Sequence, residues 1–197
     1  MFIAHRGLVN KFNKENTIKA FKSAINSDKY IGFELDLRVS KDQKFIVYHD
    51  LLYKGKLVKN TLYKELKKDN IPLLEEVLNL DTEKIIMIEI KDYKINLKKL
   101  AKLLSSYNNK NLYISSFNNK VLKDLKNYIN NIKIGSLNYV LNSEENYSEF
   151  DFVCIVNLFL TEDIINYFIK QNIEVFGYGI TKKENVKYKN VKYIIDE

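Results

Sequence analysis

His5 and His49 are the only histidines in this 197-residue chain, and each closes a short apolar run, in Ala4-His5-Arg6-Gly7 and Val47-Tyr48-His49-Asp50. Imidazole titrates near neutral pH, so two histidines can take and return a proton within one reaction. Two charged pairs, Glu34-Leu35-Asp36 and Glu89-Ile90-Lys91, lie inside otherwise apolar stretches. Residues two apart in a strand share a face, so Glu34 and Asp36 point together, away from Phe33, Leu35 and Leu37, while Glu89 sides with Lys91 against Ile88 and Ile90. Buried carboxylates demand a cation, mutual pairing or water. Gathered at the carboxyl ends of strands in a β/α barrel, Glu34, Asp36 and Glu89 would form an all-oxygen site suited to Mg²⁺ or Ca²⁺ rather than zinc. With Arg6 and Lys91 beside that ion, one positive charge remains, which a phosphodiester monoanion neutralises. Arg6 offers a planar fork for nonbridging oxygens and Lys91 a point charge. The chemistry suggested is metal-assisted acid–base cleavage of a phosphodiester, with His5 and His49 as acid and base.

Each element also has a plainer reading. A histidine at a strand end is often structural, Glu34 with Asp36 fits an exposed alternating strand, and Glu89 with Lys91 fits a surface ion pair. Their joint placement at comparable strand ends is what raises the chemical reading.

The elements that would position these residues alternate between short β-rich runs and longer helical periods, the pattern of an α/β fold with a parallel sheet. Candidate strands are Phe2 to His5, Phe33 to Leu37, Phe45 to Tyr48, Ile85 to Ile90, Leu112 to Ser116, Lys133 to Leu137, Phe152 to Val156, Glu174 to Tyr178 and Tyr193 to Ile195. Candidate helices are Thr17 to Ile25, Leu73 to Leu80, Leu97 to Leu104, Asn119 to Ile129 and Glu162 to Gln171. Leu97, Leu100, Ala101 and Leu104 follow the spacing of one helix face. The single proline, Pro72, is placed to open the second helix. Nine strands exceed by one what an eight-stranded barrel needs. Phe33 to Leu37 and Phe45 to Tyr48 are joined by too few residues for a helical crossover, so the link is either extended chain or a hairpin.

Composition sets the frame. A chain 46% hydrophobic and 29% charged supports one buried core and is read as a single domain over residues 1–197. No apolar run reaches the ~18 to 20 residues of a membrane span, and no signal-peptide pattern follows Met1, so a cytoplasmic protein is expected. Cys154 has no partner cysteine and is expected to pack as a small apolar side chain. The formal charge of +7 would suit nucleic acid or anionic lipid. Arginine occurs only at Arg6 and Arg38, however, and lysines spread over predicted helix faces, so no nucleic-acid partner is expected.

The chain resembles the glycerophosphodiester phosphodiesterase family, which is related to phosphatidylinositol-specific phospholipases C. The likeness rests on Ala4-His5-Arg6-Gly7, Glu15-Asn16-Thr17 with Ala20-Phe21, Glu34-Leu35-Asp36, Lys41-Asp42 leading to Val47-Tyr48-His49-Asp50, Pro72-Leu73-Leu74-Glu75-Glu76-Val77-Leu78, Glu89-Ile90-Lys91 and Ser115-Ser116-Phe117. These run in family order over about the first 117 residues. The resemblance implies a compact (β/α)8 TIM barrel with an irregular link between its second and third strands and a shortened carboxyl-terminal end. It implies a hydrolase of lipid metabolism that uses a divalent cation, Mg²⁺ or Ca²⁺ with Mn²⁺ as a third option, on a small-molecule glycerophosphodiester. Residue by residue, it implies metal ligation by Glu34, Asp36 and Glu89, acid–base roles for His5 and His49, phosphate contacts from Arg6 and Lys91, and support from Glu15, Asn16 and Ser116. Where relatives carry a tryptophan-threonine pair, this chain has Gly177-Tyr178-Gly179-Ile180-Thr181, and the resemblance implies Tyr178 as the residue to supply the aromatic wall instead. The Thr-Asp-x-Pro ending of relatives is reduced to Ile195-Asp196-Glu197. The rival reading is a barrel that has lost catalysis and binds a phosphorylated ligand.

Overall fold

A computed structural model describes residues 1–107, 110–180 and 186–196. Strands β1 (Phe2–Ala4), β2 (Gly32–Val39), β3 (Phe45–Val47), β4 (Leu52–Tyr53), β5 (Lys56–Leu57), β6 (Ile85–Ile90), β7 (Leu112–Ser116), β8 (Lys133–Asn138), β9 (Phe152–Val156), β10 (Glu174–Ile180) and β11 (Lys192–Ile195) are accompanied by helices α1 (Ile18–Ile25), α2 (Tyr63–Leu66), α3 (Leu74–Leu78), α4 (Leu97–Ser105), α5 (Asn119–Lys126) and α6 (Glu162–Ile169). Eight parallel strands run in the order β1, β2, β6, β7, β8, β9, β10, β11, and pairing of β1 with both β2 and β11 closes them into a (β/α)8 barrel.

The ninth strand is accounted for by a hairpin. β3 runs antiparallel to β2, with Leu37 opposite Val47 and Val39 opposite Phe45. The chain therefore climbs past the barrel rim along β2 and turns back along β3, which returns His49 to the level of the rim. Two features depart from the sequence expectation. Pro72 does not open α3: Leu73 is its N-cap, and the Pro72 carbonyl accepts from the Val47 N–H, tying the helix start to β3. Residues 52–66 hold a two-stranded hairpin and a one-turn helix too short to leave a periodic signal.

Most helices begin at polar caps. Thr17, Asn96, Asn118 and Thr161 each accept a backbone N–H of the first turn with their side-chain oxygen. Helix α3 uses the Glu76 carboxylate, which accepts the Leu73 N–H at 2.7 Å. The helices bury one stripe each against the sheet, and Phe33, Leu35 and Leu37 of β2 share the larger core with Phe21, Leu74, Leu100 and Leu122.

A second core fills the barrel, built from Ile3, Ile85, Met87, Tyr113, Leu137, Phe152, Cys154, Phe176 and Ile194. Cys154 is fully buried there, as expected for a small apolar filler. The barrel floor is closed by polar groups: Glu174 pairs with Lys133 and Lys192 and accepts the Tyr113 hydroxyl at 3.1 Å. With the floor sealed, the opposite end is left for chemistry.

Candidate active site

The register of the barrel brings the candidate residues together. Ala4 lies beside Phe33 on one flank and Ile195 on the other, so His5, one residue further, stands between Glu34 and Asp196. Asp36 lies beside Glu89, and Glu89 beside Ser115. Alternation turns these side chains inward, as the strand period predicts. A cavity of about 180 Å³ at the strand ends is lined by His5, Arg6, Glu34, His49, Glu89, Lys91, Ser115, Phe117, Tyr139 and Tyr178, over a base that includes Met87.

The loop after β1 is shaped for this task. Arg6 and Asn16 both adopt the left-handed backbone region, at φ 55° and 53°, and the Asn16 N–H donates to the Arg6 carbonyl at 2.9 Å. Gly7 follows at φ 84°, where a side chain's Cβ would lie 2.8 Å from the backbone of Ala20. Only glycine fits this turn against α1. The Arg6 N–H then donates to Glu34 Oε2 at 3.0 Å, while its guanidinium donates to Glu15 at 2.7 Å and Nε faces Asp36 Oδ2 at 3.2 Å.

Asn16 holds Asp36 at two points. Its amide donates to Asp36 Oδ2 at 2.7 Å, and its carbonyl oxygen accepts the Asp36 N–H at 3.2 Å. On the other side, Lys91 Nζ donates to Glu89 Oε1 at 2.7 Å and lies 3.2 Å from Asp36 Oδ1.

Burial works against the Asp36 charge, but Lys91 and Arg6 outweigh it and hold this carboxyl below its ordinary range. Glu34 behaves oppositely: burial, reinforced by the Asp36 charge, pushes it up to about 8. Glu89 is also raised by burial, with Lys91 opposing.

Oxygens of Glu34, Asp36 and Glu89 lie within 4.8 Å of one another. Glu34 Oε1 is buried without a hydrogen-bond partner among the described residues, and Asp36 Oδ1, likewise without one, faces the Lys91 ammonium at 3.2 Å. Three crowded carboxylates with unsatisfied buried oxygens and no nitrogen or sulfur donor fit a hard divalent cation.

Both histidines reach this cavity, and each is oriented by a carboxylate that the sequence reading did not assign. His5 Nδ1 lies 2.5 Å from Asp196 Oδ1, with Nε2 3.9 Å from Glu34 Oε2. His49 Nδ1 lies 2.9 Å from Asp50 Oδ1. Burial opposes protonation of His5, but the bond to Asp196 and the Glu34 charge prevail and raise its pKa. Arg38 was also missed. It continues the inward face of Glu34 and Asp36, donates to the His49 carbonyl at 2.8 Å and is anchored by Asp92 at 2.8 Å, so it fixes the backbone that carries the second histidine.

The supporting residues divide. Glu15 and Asn16 contact Arg6 and Asp36 as described. Ser116 instead turns out of the barrel, donating to the Ile90 carbonyl at 2.9 Å and accepting the Asn118 N–H at 3.1 Å. Its neighbour Ser115 lines the cavity, because the β6–β7 register sets Ser115, not Ser116, level with Glu89. Tyr178 lines the cavity, donates to the Asn138 carbonyl at 3.1 Å and stands edge-on to Phe117 and Tyr139, each 6.4 Å away between ring centroids. Thr181 and Glu197 of the divergent motifs lie outside the described residues.

Residues 5–194 match the model of the glycerophosphoryl diester phosphodiesterase family. A glycerophosphodiester phosphodiesterase of Caldanaerobacter subterraneus subsp. tengcongensis is 36% identical over 164 residues, covering 70% of this chain and 66% of its own length, so the chain spans just under two-thirds of that relative. Among solved structures, the crystal structure of a glycerophosphodiester phosphodiesterase from Thermotoga maritima superposes with a TM-score of 0.78 at 27% identity, over 99% of this chain and 93% of that one. An Oleispira antarctica phosphodiesterase, solved in complex with the product sn-glycerol-3-phosphate, shares the fold with a TM-score of 0.77 at 19% identity, over 93% of this chain and 86% of that one.

Proposed function

Because this chain belongs to the glycerophosphoryl diester phosphodiesterase family, we propose that it hydrolyses a glycerophosphodiester to an alcohol and a glycerol phosphate. The observation that carries this reading is the meeting of His5 and His49, 44 positions apart, in one cavity with Glu34, Glu89, Arg6 and Lys91. The glycerol phosphate in the Oleispira antarctica structure is the product that such a reaction would release.

Glu34, Asp36 and Glu89 would hold a divalent cation, Mg²⁺, Ca²⁺ or Mn²⁺. When bound, such an ion polarises a phosphoryl oxygen and offsets the carboxylate charge. The remaining work belongs to the side chains. Arg6 and Lys91 grip nonbridging oxygens of the phosphate. One histidine takes the proton of the attacking oxygen through Nε2, and the other delivers a proton to the departing alkoxide, so the pair ends with its total protonation unchanged. The attacking oxygen is that of water or of the substrate's own neighbouring hydroxyl. Asp196 and Asp50 hold the two Nδ1 atoms, which leaves each Nε2 for the substrate.

A barrel that only binds its ligand has no use for two histidines each fixed by a carboxylate, and this weighs against the rival reading. The reading is tested by incubating the protein with glycerophosphocholine and Mg²⁺, Ca²⁺ or Mn²⁺ in turn, with chelated and Glu34→Ala controls. Release of choline and glycerol phosphate that needs both the metal and Glu34 supports it. Turnover that ignores the metal refutes the metal role, and binding of the diester without turnover under any metal refutes hydrolysis.

A further inference from the structure

The mouth of the barrel carries exposed apolar side chains, of which, among the described residues, only Tyr139 also lines the cavity. The four most exposed large hydrophobic residues among those described are Leu158 (76%), Phe12 (71%), Val140 (67%) and Tyr139 (65%), and all four follow the carboxyl ends of barrel strands β9, β1 and β8. Leu51, Leu52, Tyr93 and Phe159 are exposed on the same end. Only Met1, Tyr128, Tyr167 and Ile169 of the exposed set lie elsewhere. A random scatter would not favour one rim, and exposed apolar groups gathered on one face mark an interaction surface.

Charge on this rim is uneven. The flank formed by residues 8–14 and 51–60 carries exposed Lys11, Lys14, Lys54, Lys56 and Lys59. Lys11 stands over the Phe12 ring at 4.9 Å, placing a cation beside the most exposed aromatic residue. Carboxylates near this flank are engaged: Glu15 by Arg6, Asp50 by His49, and Asp69 by Lys54. Phe12, Val140 and Leu158 project from three separate loops rather than one packed area. A protein partner needs a continuous complementary surface. A lipid interface admits separated apolar tips and rewards lysines at the headgroup level.

We propose that the mouth of the barrel docks on an anionic phospholipid surface, with Phe12, Val140 and Leu158 entering the apolar layer and the flank of Lys11, Lys14, Lys56 and Lys59 lying against the headgroups. This goes beyond the hydrolytic reading and is measured without turnover, so either can fail alone.

The test is co-sedimentation of the whole protein with vesicles of equimolar phosphatidylcholine and phosphatidylglycerol, beside vesicles of phosphatidylcholine alone. Wild type binds the anionic vesicles, and binding weakens with salt. The Phe12→Ser, Leu158→Ser double variant loses about tenfold or more in partitioning, as expected for two apolar side chains kept in water. Lys11→Ala and Lys56→Ala each lose about fivefold. None of these residues lines the cavity, so all variants keep the wild-type thermal unfolding curve, which verifies folding, and the same hydrolysis of soluble glycerophosphocholine as wild type. Absence of wild-type binding overturns the proposal, as does equal partitioning of the double variant. A concentration-dependent dimer that Leu158→Ser abolishes would assign this face to a second copy instead and overturn it equally.

Discussion

His5 Nδ1 and Asp196 Oδ1 stand 2.5 Å apart although 191 positions separate them in sequence. The contact joins the first barrel strand to the last, and the backbone repeats it: the His5 N–H donates to the Ile195 carbonyl at 3.0 Å. Barrel closure and orientation of a histidine are therefore one event. Aligning the imidazole lets Nε2 face the cavity while Nδ1 is held.

Asp196→Asn should expose that coupling. An amide can still bond to Nδ1 but does not hold the same tautomer or stabilise imidazolium, so kcat is expected to fall by about tenfold to a hundredfold while KM changes little. Steady-state kinetics on glycerophosphocholine measure the split. A rise in KM at constant kcat would mean that Asp196 acts on binding and not through His5.

Gly7→Ala addresses the turn that sets Arg6. A side chain at φ 84° with its Cβ 2.8 Å from the Ala20 backbone forces the loop or α1 to move. Strain at such a position costs about 1 to 3 kcal/mol, which predicts a drop of several degrees in Tm together with loss of activity as Arg6 leaves Glu34 and Asp36. Thermal unfolding of the variant checks this, and an unchanged Tm would show that the turn relaxes freely.

The barrel floor predicts a pH dependence of stability. Burial opposes the Glu174 charge, but Lys133 and Lys192 outweigh it and lower this carboxyl's pKa on folding. A carboxyl lowered by folding adds stability that is fully present above its unfolded value, near ~4.3, and that is lost as pH falls through the folded value. The stability gap between wild type and Glu174→Gln should thus be widest near neutrality and shrink below about pH 4.3. Urea titrations at several pH values measure it, and a gap that widens in acid would contradict the assignment.

What could be read in advance follows from how local each signal is. Strand β6 is legible to the residue because both of its faces are covered and its run is wholly apolar up to Glu89. The α4 stripe is legible because Leu100, Ala101 and Leu104 obey the helical period. The hairpin β4–β5 is not, since two-residue strands have no period. Within the site, Glu34 and Asp36 follow from alternation, and Arg38 continues the same alternation, so it was available to the same argument. Choosing between Ser115 and Ser116 requires the β6–β7 register, which no local pattern supplies. Asp196 depends on closure across the whole chain, and its sequence, the first of two acids after a short apolar run, carries no mark of a histidine partner.

The central claim is that His5 and His49 work as a pair in metal-dependent hydrolysis, and its most direct measurement is the turnover of glycerophosphocholine by wild type, His5→Ala and His49→Ala with the divalent cation present and chelated. The predicted result is wild-type release of choline and glycerol phosphate that stops with chelator, and a fall of about 10² to 10⁴ in rate for each variant. Undiminished metal-dependent turnover by either variant would contradict it.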